Sequence, residues 1–284
     1  LLYFATNLQN FAIYCGVLQY LFANKLLSLQ HIAVNMIKEE RLQIIINTLE
    51  KDNKVRLDHL SRLLNVSEDT VRRDIKELDS QGLLKAVRGG AIAHSPIPQH
   101  YRDREKYNQP HKVTVANKAL QFLKDGQVVF FDGGTSVVAL AAALPKELKI
   151  TVITNSFPVV NVLEDHPNAE VIFAGGRLHK TAFTTMGQET VDTFRNVRAD
   201  ICILGICSLH HTMGITSTIY EDAQINKIMI DRAERTIALS TLEKTSTVES
   251  FYVCPVTDAD VIITEADPNH ASLKAYKNLG IEII

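Results

Sequence analysis

Between Lys54 and Ile92 the apolar positions follow two helical stripes and then a strand pattern. Leu57, Leu60, Leu63 and Leu64 recur at helical spacing and form one apolar face. Asn65-Val66 breaks the stripe and predicts a turn. Ser67 stands where a helix N-cap belongs, its hydroxyl able to accept a backbone N–H, and Glu68 and Asp69 suit the positive end of the helix dipole. Val71, Ile75 and Leu78, at i, i+4 and i+7, face inward and leave Thr70, Arg72, Arg73 and Lys76 outside. Gly82 ends this helix. Leu83 to Val87 predicts a strand, Arg88-Gly89-Gly90 a turn, and Ala91-Ile92 a returning strand. Upstream, Ile37 to Leu49 is an amphipathic helix, with Ile37, Leu42, Ile45, Ile46 and Leu49 toward the core. A helix-turn-helix followed by a basic hairpin is a winged helix, whose second helix lies in the DNA major groove. Ser67, Thr70, Arg72, Arg73 and Lys76 are therefore candidate DNA contacts, with Lys85 and Arg88 on the wing.

From His111 the pattern changes. Apolar, β-rich runs lie at Val128–Phe131, Ile150–Thr154, Val171–Ala174, Ile201–Gly205, Thr236–Ser240, Val261–Thr264 and Ile281–Ile284. Helical stretches fall at about 111–124, 134–144, 156–164, 187–195, 219–234 and 269–279. Continuous apolar strands alternating with helices predict an α/β domain with a mostly parallel, Rossmann-like sheet covered on both faces. Ligands of such sheets bind at the carboxyl ends of the strands. The loops there are rich in glycine and hydroxyls: Asp132-Gly133-Gly134-Thr135-Ser136, Asn155-Ser156, Gly175-Gly176-Arg177, Gly205, Gly214-Ile215-Thr216 and Thr241-Leu242-Glu243-Lys244. Glycine lets backbone N–H groups approach an anion at a helix N-terminus. A lone Gly-Gly-Thr is more often only a tight turn, and a lone lysine only a solvated one. Together, on one edge of one sheet, they suggest a site for a small, hydroxylated, anionic ligand.

Between the two patterned regions, residues 93–110 hold three prolines and little periodicity, and read as a linker. Tyr101, Arg102 and Arg104 there either pack on one domain or form a dimer contact, and the sequence leaves both open. Residues 1–35 fall outside the pattern. Leu1 to Asn24 carries no charge, yet Asn7, Gln9, Asn10 and Gln19 make it a poor membrane span, and no basic segment precedes it as in a secretory signal. Met36 looks like a native start, and the preceding residues are expected to be an upstream extension outside the fold. The expected domains are thus 36–92 and 111–284.

Composition adds limits. The 284 residues are 46% hydrophobic and 22% charged, a globular balance with room for one large or two modest domains. A net charge of −2 supplies no global pull toward DNA, so attraction must be local. Lys85 and Arg88 lie in a run without an acid between Asp79 and Asp103. Cys15, Cys202, Cys207 and Cys254 show no metal or disulfide spacing and read as reduced thiols of a cytoplasmic protein. The adjacent His210 and His211 point apart and have no ligand partner at metal spacing, so they read as loop histidines. His179 either reaches a ligand phosphate or faces solvent. No cofactor or metal is expected.

The string LLNVSEDTVRRDIKELDSQGLLKAVRGGAI resembles the DNA-binding domain of the DeoR family of bacterial transcriptional regulators. Asp132-Gly133-Gly134-Thr135-Ser136, Thr154-Asn155-Ser156, Gly175-Gly176, Gly187, Asp200 and Lys244 resemble that family's C-terminal sensor domain, so the likeness spans Met36 to Ile284. It implies a fold similar to ribose-phosphate isomerases and coenzyme A transferases. It also implies a repressor of carbohydrate genes that binds an operator as a homodimer or higher oligomer. The implied effector is a phosphorylated sugar held by Asp132, Gly133, Gly134, Thr135, Ser136, Asn155, Gly175, Gly176, Gly205, Thr216, Glu221 and Lys244. There are departures. The family's Asp-Ser-Ser-Lys is here Thr241-Leu242-Glu243-Lys244, and a family lysine falls on Asn226, while Glu221 and Asp222 keep an acidic pair. The alternative from another class is an isomerase or transferase-like enzyme on the related fold. It would need a positioned acid–base pair, for which only Asp132 and Glu221 offer themselves.

Overall fold

A computed structural model describes residues 36–284, so the expectations for residues 1–35 and for Cys15 lie outside it. The described residues form two compact units, divided between Ala91 and Ile92.

The first unit carries α1 (Lys38–Asp52), β1 (Lys54–Arg56), α2 (Leu57–Leu64), α3 (Glu68–Ser80), β2 (Lys85–Val87) and β3 (Gly90–Ile92). Its core is Ile45, Leu49, Val55, Leu60, Leu64, Val71, Ile75, Leu78 and Leu84, each no more than 5% exposed. Two predicted core positions differ. Ile37 is 58% exposed because it is the residue before α1, and Leu63 is 50% exposed on the outer side of α2. Ser67 caps α3 as expected, its Oγ accepting Thr70 N–H at 3.2 Å. Gly82, at φ +71°, closes it, and the N–H groups of Gly82 and Leu83 return to the carbonyls of Asp79 and Leu78. The patterning did not predict β1, which pairs in a three-stranded sheet of order β1-β3-β2. Gly90 is required there, since a Cβ would stand 1.8 Å from Val55 O. Nor did it predict the ion pair of Arg41 with Asp74, which is 3% exposed. Arg41 Nε and Nη2 donate to the two carboxylate oxygens at 2.9 and 3.1 Å and tie α1 to α3.

The second unit begins with α4 (Tyr101–Lys106) and α5 (Gln109–Ala119), both reaching into the stretch expected as a linker. That stretch is fastened to this unit. Val248 N–H donates to Ala93 O, Ser95 N–H to Glu249, and Tyr101 N–H to Thr181 O, while Tyr101 is 4% exposed. Its prolines interrupt the periodicity without freeing the chain. The predicted strands are all present: β4 (Val128–Phe131), β5 (Ile150–Thr154), β6 (Ala169–Phe173), β9 (Ala199–Gly205), β12 (Ala233–Leu239), β14 (Val261–Ile263) and β15 (Glu282–Ile283). They form one parallel sheet of order β15-β14-β12-β9-β4-β5-β6. Side chains alternate between its faces. Val129 and Phe131 join a core with Val115, Ala116, Val137, Leu140, Val159 and Leu163, from α5, α6 (Thr135–Ala142) and α7 (Phe157–Leu163). Phe130 joins the opposite core with Phe194, Ile225, Met229 and Tyr276, from α8 (Gln188–Arg195), α9 (Tyr220–Asp231) and α10 (Lys274–Lys277).

Two small antiparallel pieces complete the unit. One is the hairpin of β7 (Arg177–His179) and β8 (Thr184–Met186). The other is a sheet of order β10-β11-β13, from Ser208–His210, Gly214–Ser217 and Phe251–Cys254. His210 thus ends a strand and is 5% exposed, where a loop was expected, and its Nδ1 accepts N–H groups of the following turn. No cluster of metal-binding type occurs among the described residues. Nor is any of their helices long and apolar enough to cross a membrane.

Candidate functional site

On the first unit, α3 offers a basic face. Arg72, Arg73 and Lys76 are exposed, and Arg88 is exposed at the tip of the wing, with Lys85 half-buried behind it. Arg72 pairs with Asp69 one turn earlier, which holds its guanidinium along the helix. Ser67 and Thr70 lie at the N-terminus of α3, 3.0 Å apart by their hydroxyls, so both take part in the cap. An N-terminal helix turn of this kind, with arginines following, is what a major-groove reader presents.

On the second unit, the chain runs from β4 outward through β5 and β6, then returns to the other side of β4 to lay down β9, β12, β14 and β15. The order reverses between β4 and β9, and a parallel sheet opens a crevice at such a point. Asp132 follows β4 and Gly205 ends β9. Asp132 Oδ2 accepts Gly205 N–H at 2.9 Å, and Asp132 N–H donates to Ile203 O at 3.1 Å. The glycines permit a close approach, because a Cβ on Gly205 would stand 2.7 Å from Gly134 Cα. A cleft opens here, walled by Asp132, Gly133, Gly134, Thr135, Ser136, Gly205 and Lys244 among the predicted residues.

Its chemistry is mixed. Gly134 caps α6 without a side chain, so the first N–H groups of that helix have no side-chain acceptor at the cap. Ser136 Oγ and Thr184 Oγ1 are buried without a hydrogen-bond partner, and both residues wall the cleft. Lys244 is 6% exposed and donates to Ile206 O at 2.7 Å; its burial holds its pKa below the usual lysine range. Asp132 is pushed up to about 7, first by burial and then by the charge of Asp222. Burial raises Asp222 as well, against the hydrogen bond from Ser217 Oγ at 2.8 Å. Burial likewise lifts the Cys207 thiol to about 11. A cleft with a buried ammonium, two carboxyls whose pKa burial raises and a helix N-terminus suits a ligand with an anionic group and several hydroxyls.

Five predicted ligand residues lie elsewhere. Asn155 is 1% exposed and donates its Nδ2 to Thr185 O. Gly175 and Gly176 are exposed: Thr190 Oγ1 donates to Gly175 O, and only Gly176 is tightly placed, where a Cβ would lie 2.5 Å from Thr190 Oγ1. The Thr216 hydroxyl accepts Glu249 N–H. Glu221 is exposed and paired with Arg177 at 2.7 Å. The acid that reaches the cleft is its neighbour Asp222, since one helical residue turns the direction by about 100°. Of the departures, Asn226 lies one turn beyond Asp222, its Nδ2 3.5 Å from that carboxylate, and Thr241 donates to Glu243 at 3.1 Å. His179 lies on β7 and accepts Ala182 N–H rather than walling the cleft. Sequence reasoning missed Ser95, Gln99, Arg104, Thr184, Ser217, Asp222 and Glu249 in the wall. Only Asp222 carried a local signal, as half of the acidic pair.

Two family models match. One described as "DeoR-like helix-turn-helix domain" covers residues 41–96, and one described as "DeoR C terminal sensor domain" covers residues 107–266. The HTH-type transcriptional repressor GlcR of Bacillus subtilis (strain 168) is 31% identical over 252 residues, 88% of this chain and 96% of that protein. The HTH-type transcriptional regulator GolR of Listeria innocua is 28% identical over 246 residues, 86% of this chain and 97% of that protein. Among solved structures, a ribose 5-phosphate isomerase A from Methanocaldococcus jannaschii matches at 18% identity with a TM-score of 0.37, over 49% of this chain and 55% of that one. With a helix-turn-helix unit ahead of a parallel-sheet sensor unit, and with both family models and a relative of nearly full length in agreement, the chain belongs to the DeoR family of transcriptional regulators.

Proposed function

We propose that this regulator is a cytoplasmic repressor of carbohydrate genes, whose grip on its operator is set by a phosphorylated sugar in the cleft between β4 and β9. The carrying observation is that a helix N-terminus, Lys244, Asp132 and Asp222 wall the same cleft, so that anion-binding and hydroxyl-binding groups stand together. The phosphate meets Thr135, Ser136 and Lys244, and the carboxyls take the sugar hydroxyls. DNA is read by α3 through Ser67, Thr70, Arg72, Arg73 and Lys76, with Lys85 and Arg88 on phosphates. The working form is a homodimer or higher oligomer, so that two such helices meet half-sites about one DNA turn, ~34 Å, or a multiple of it apart.

Fluorescence anisotropy of the full chain on DNA from its own upstream region, at fixed ionic strength, tests this reading. A panel of sugar phosphates is titrated in. One compound is expected to shift affinity about 5- to 150-fold, a coupling of ~1–3 kcal/mol. Specific DNA binding that no member of the panel alters would remove the sugar phosphate from this account.

A further inference from the structure

Two acids of the cleft lack a bonded cation. The charged residues of its wall are Arg104, Asp132, Asp222, Lys244 and Glu249. Glu249 is engaged: its carboxylate accepts Ser95 N–H at 2.9 Å and lies 3.2 Å from His94 Nδ1. Asp132, 4% exposed, takes neutral donors, the N–H groups of Gly133 and Gly205. Half-buried Asp222 takes Ser217 Oγ and the Asn226 amide. Neither carboxyl forms an ion pair among the described residues. Arg104 acts on both from a distance and His179 on Asp222, but Arg104 Nη1 donates to Gln99 O, His179 Nδ1 accepts Ala182 N–H, and Lys244 donates to Ile206 O. One turn after Asp222, where a lysine would close an i,i+4 pair, stands Asn226, its Oδ1 buried without a hydrogen-bond partner. A further acceptor lies against the residue after Asp132. Thr184 is 1% exposed, its Oγ1 has no partner, and a Cβ on Gly133 would stand 2.3 Å from its Cγ2.

We propose that the effector is an amino sugar phosphate, its ammonium held by Asp132, Asp222 and Thr184 and its phosphate by Lys244 and the N-terminus of α6. The inference rests on the reading of the cleft as a sugar-phosphate site and narrows it. A sugar hydroxyl satisfies one carboxyl but leaves the charge of the pair unbalanced, and an unbalanced buried charge is costly. An ammonium brings three donors and the missing charge to three acceptors, two of them acids. Burial now raises the pKa of both carboxyls, and the charge of Asp222 adds to the effect on Asp132. A bound ammonium favours their ionised forms, so at mildly acidic pH it must displace the protons that burial favours. The advantage of the amino sugar over its neutral counterpart therefore grows as pH rises. Both members of such a pair carry the same phosphate, whose own titration cancels in the ratio.

Isothermal titration of the full chain at constant ionic strength, with sugar phosphates that differ only in an amino group for a hydroxyl, decides the matter. Glucosamine 6-phosphate against glucose 6-phosphate is one pair, and galactosamine 6-phosphate against galactose 6-phosphate another. In one pair the amino member is expected to bind about 10- to 100-fold more tightly at pH 7.5, with a smaller ratio at pH 5.5. Its N-acetyl derivative, whose nitrogen is uncharged, should lose that gain. Asp222→Asn is expected to bring the ratio within a few-fold of one. Asn226→Lys should do the same by supplying the cation from within the helix, and thermal unfolding of each variant confirms that it is folded. A neutral sugar phosphate that binds as tightly as its amino counterpart, or a ratio that survives Asp222→Asn, overturns the amine and leaves the reading of the cleft standing. If no member of either pair binds, that reading and this inference fall together.

Discussion

The two units hold their working residues in opposite ways. On α3 the basic residues proposed to meet DNA, Arg72, Arg73 and Lys76, stand exposed along one stretch of helix, and the core beneath them is purely apolar apart from the Arg41–Asp74 pair. In the cleft, Asp132 and Lys244 are buried and bond to the backbone that shapes the site, Asp222 is half-buried against Ser217, and the three come from distant parts of the chain. An exposed contact can be deleted at little structural cost, whereas a buried one is both tool and scaffold. Function and stability should therefore separate cleanly in the first unit and stay entangled in the second.

The largest effect expected is on DNA. Arg72→Ala combined with Arg73→Ala should reduce operator affinity by about 100-fold or more, at roughly 1–3 kcal/mol for each lost contact, with thermal stability and ligand-induced stabilisation intact. Anisotropy and thermal unfolding of one sample decide it, and a drop in both would spoil the separation. Asp74→Ala should cost the first unit about 3–5 kcal/mol, because it leaves Arg41 half-buried and unpaired. Chemical denaturation followed by a probe in that unit measures this. In the sensor, Lys244→Ala should weaken the ligand response while leaving operator affinity in the absence of ligand within a few-fold.

The pH dependence of the sensor sharpens the contrast further. The folded pKa of Asp132 lies above its unfolded value, at about 7 against 3.8. Its protonated form therefore favours the folded state. That stability is full below about pH 4 and is lost as pH rises toward 7, at on the order of 1.4 kcal/mol per pH unit for one proton. Asp132→Asn should flatten the slope, as denaturant midpoints at pH 5 and pH 7.5 would reveal. An unchanged slope would mean that Asp132 does not titrate in this window.

Legibility followed the range of the contacts. Caps, stripes and the wing glycine are local, so the helix-turn-helix could be read residue by residue, down to the Ser67 cap. The parallel strands were visible because strands buried on both faces are continuous apolar runs. Their order was not, and with it went the position of the cleft between β4 and β9. Asp132 to Ser136, Gly205 and Lys244 could be placed together in advance because they end or follow strands of one sheet, and they do wall one cleft. Arg104, Thr184 and Ser217 could not, since a helix in a proline-rich stretch and strands of only three or four residues leave little periodic signal. Glu221 shows the limit most sharply: of the acidic pair on α9, Asp222 rather than Glu221 walls the cleft.

The Glu243 carboxylate accepts hydrogen bonds from Tyr107 Oη at 3.0 Å and Asn108 Nδ2 at 2.8 Å, and this bears on anyone who recombines regulators of this kind. A hybrid spliced at residue 110 would keep the cleft but receive a foreign partner for Glu243 and a foreign side chain at position 104. A hybrid spliced after Ala91 would carry the whole pocket wall with its own sensor. The unit of exchange in this protein is therefore longer than its sheet and helices suggest, and it starts at the end of the wing.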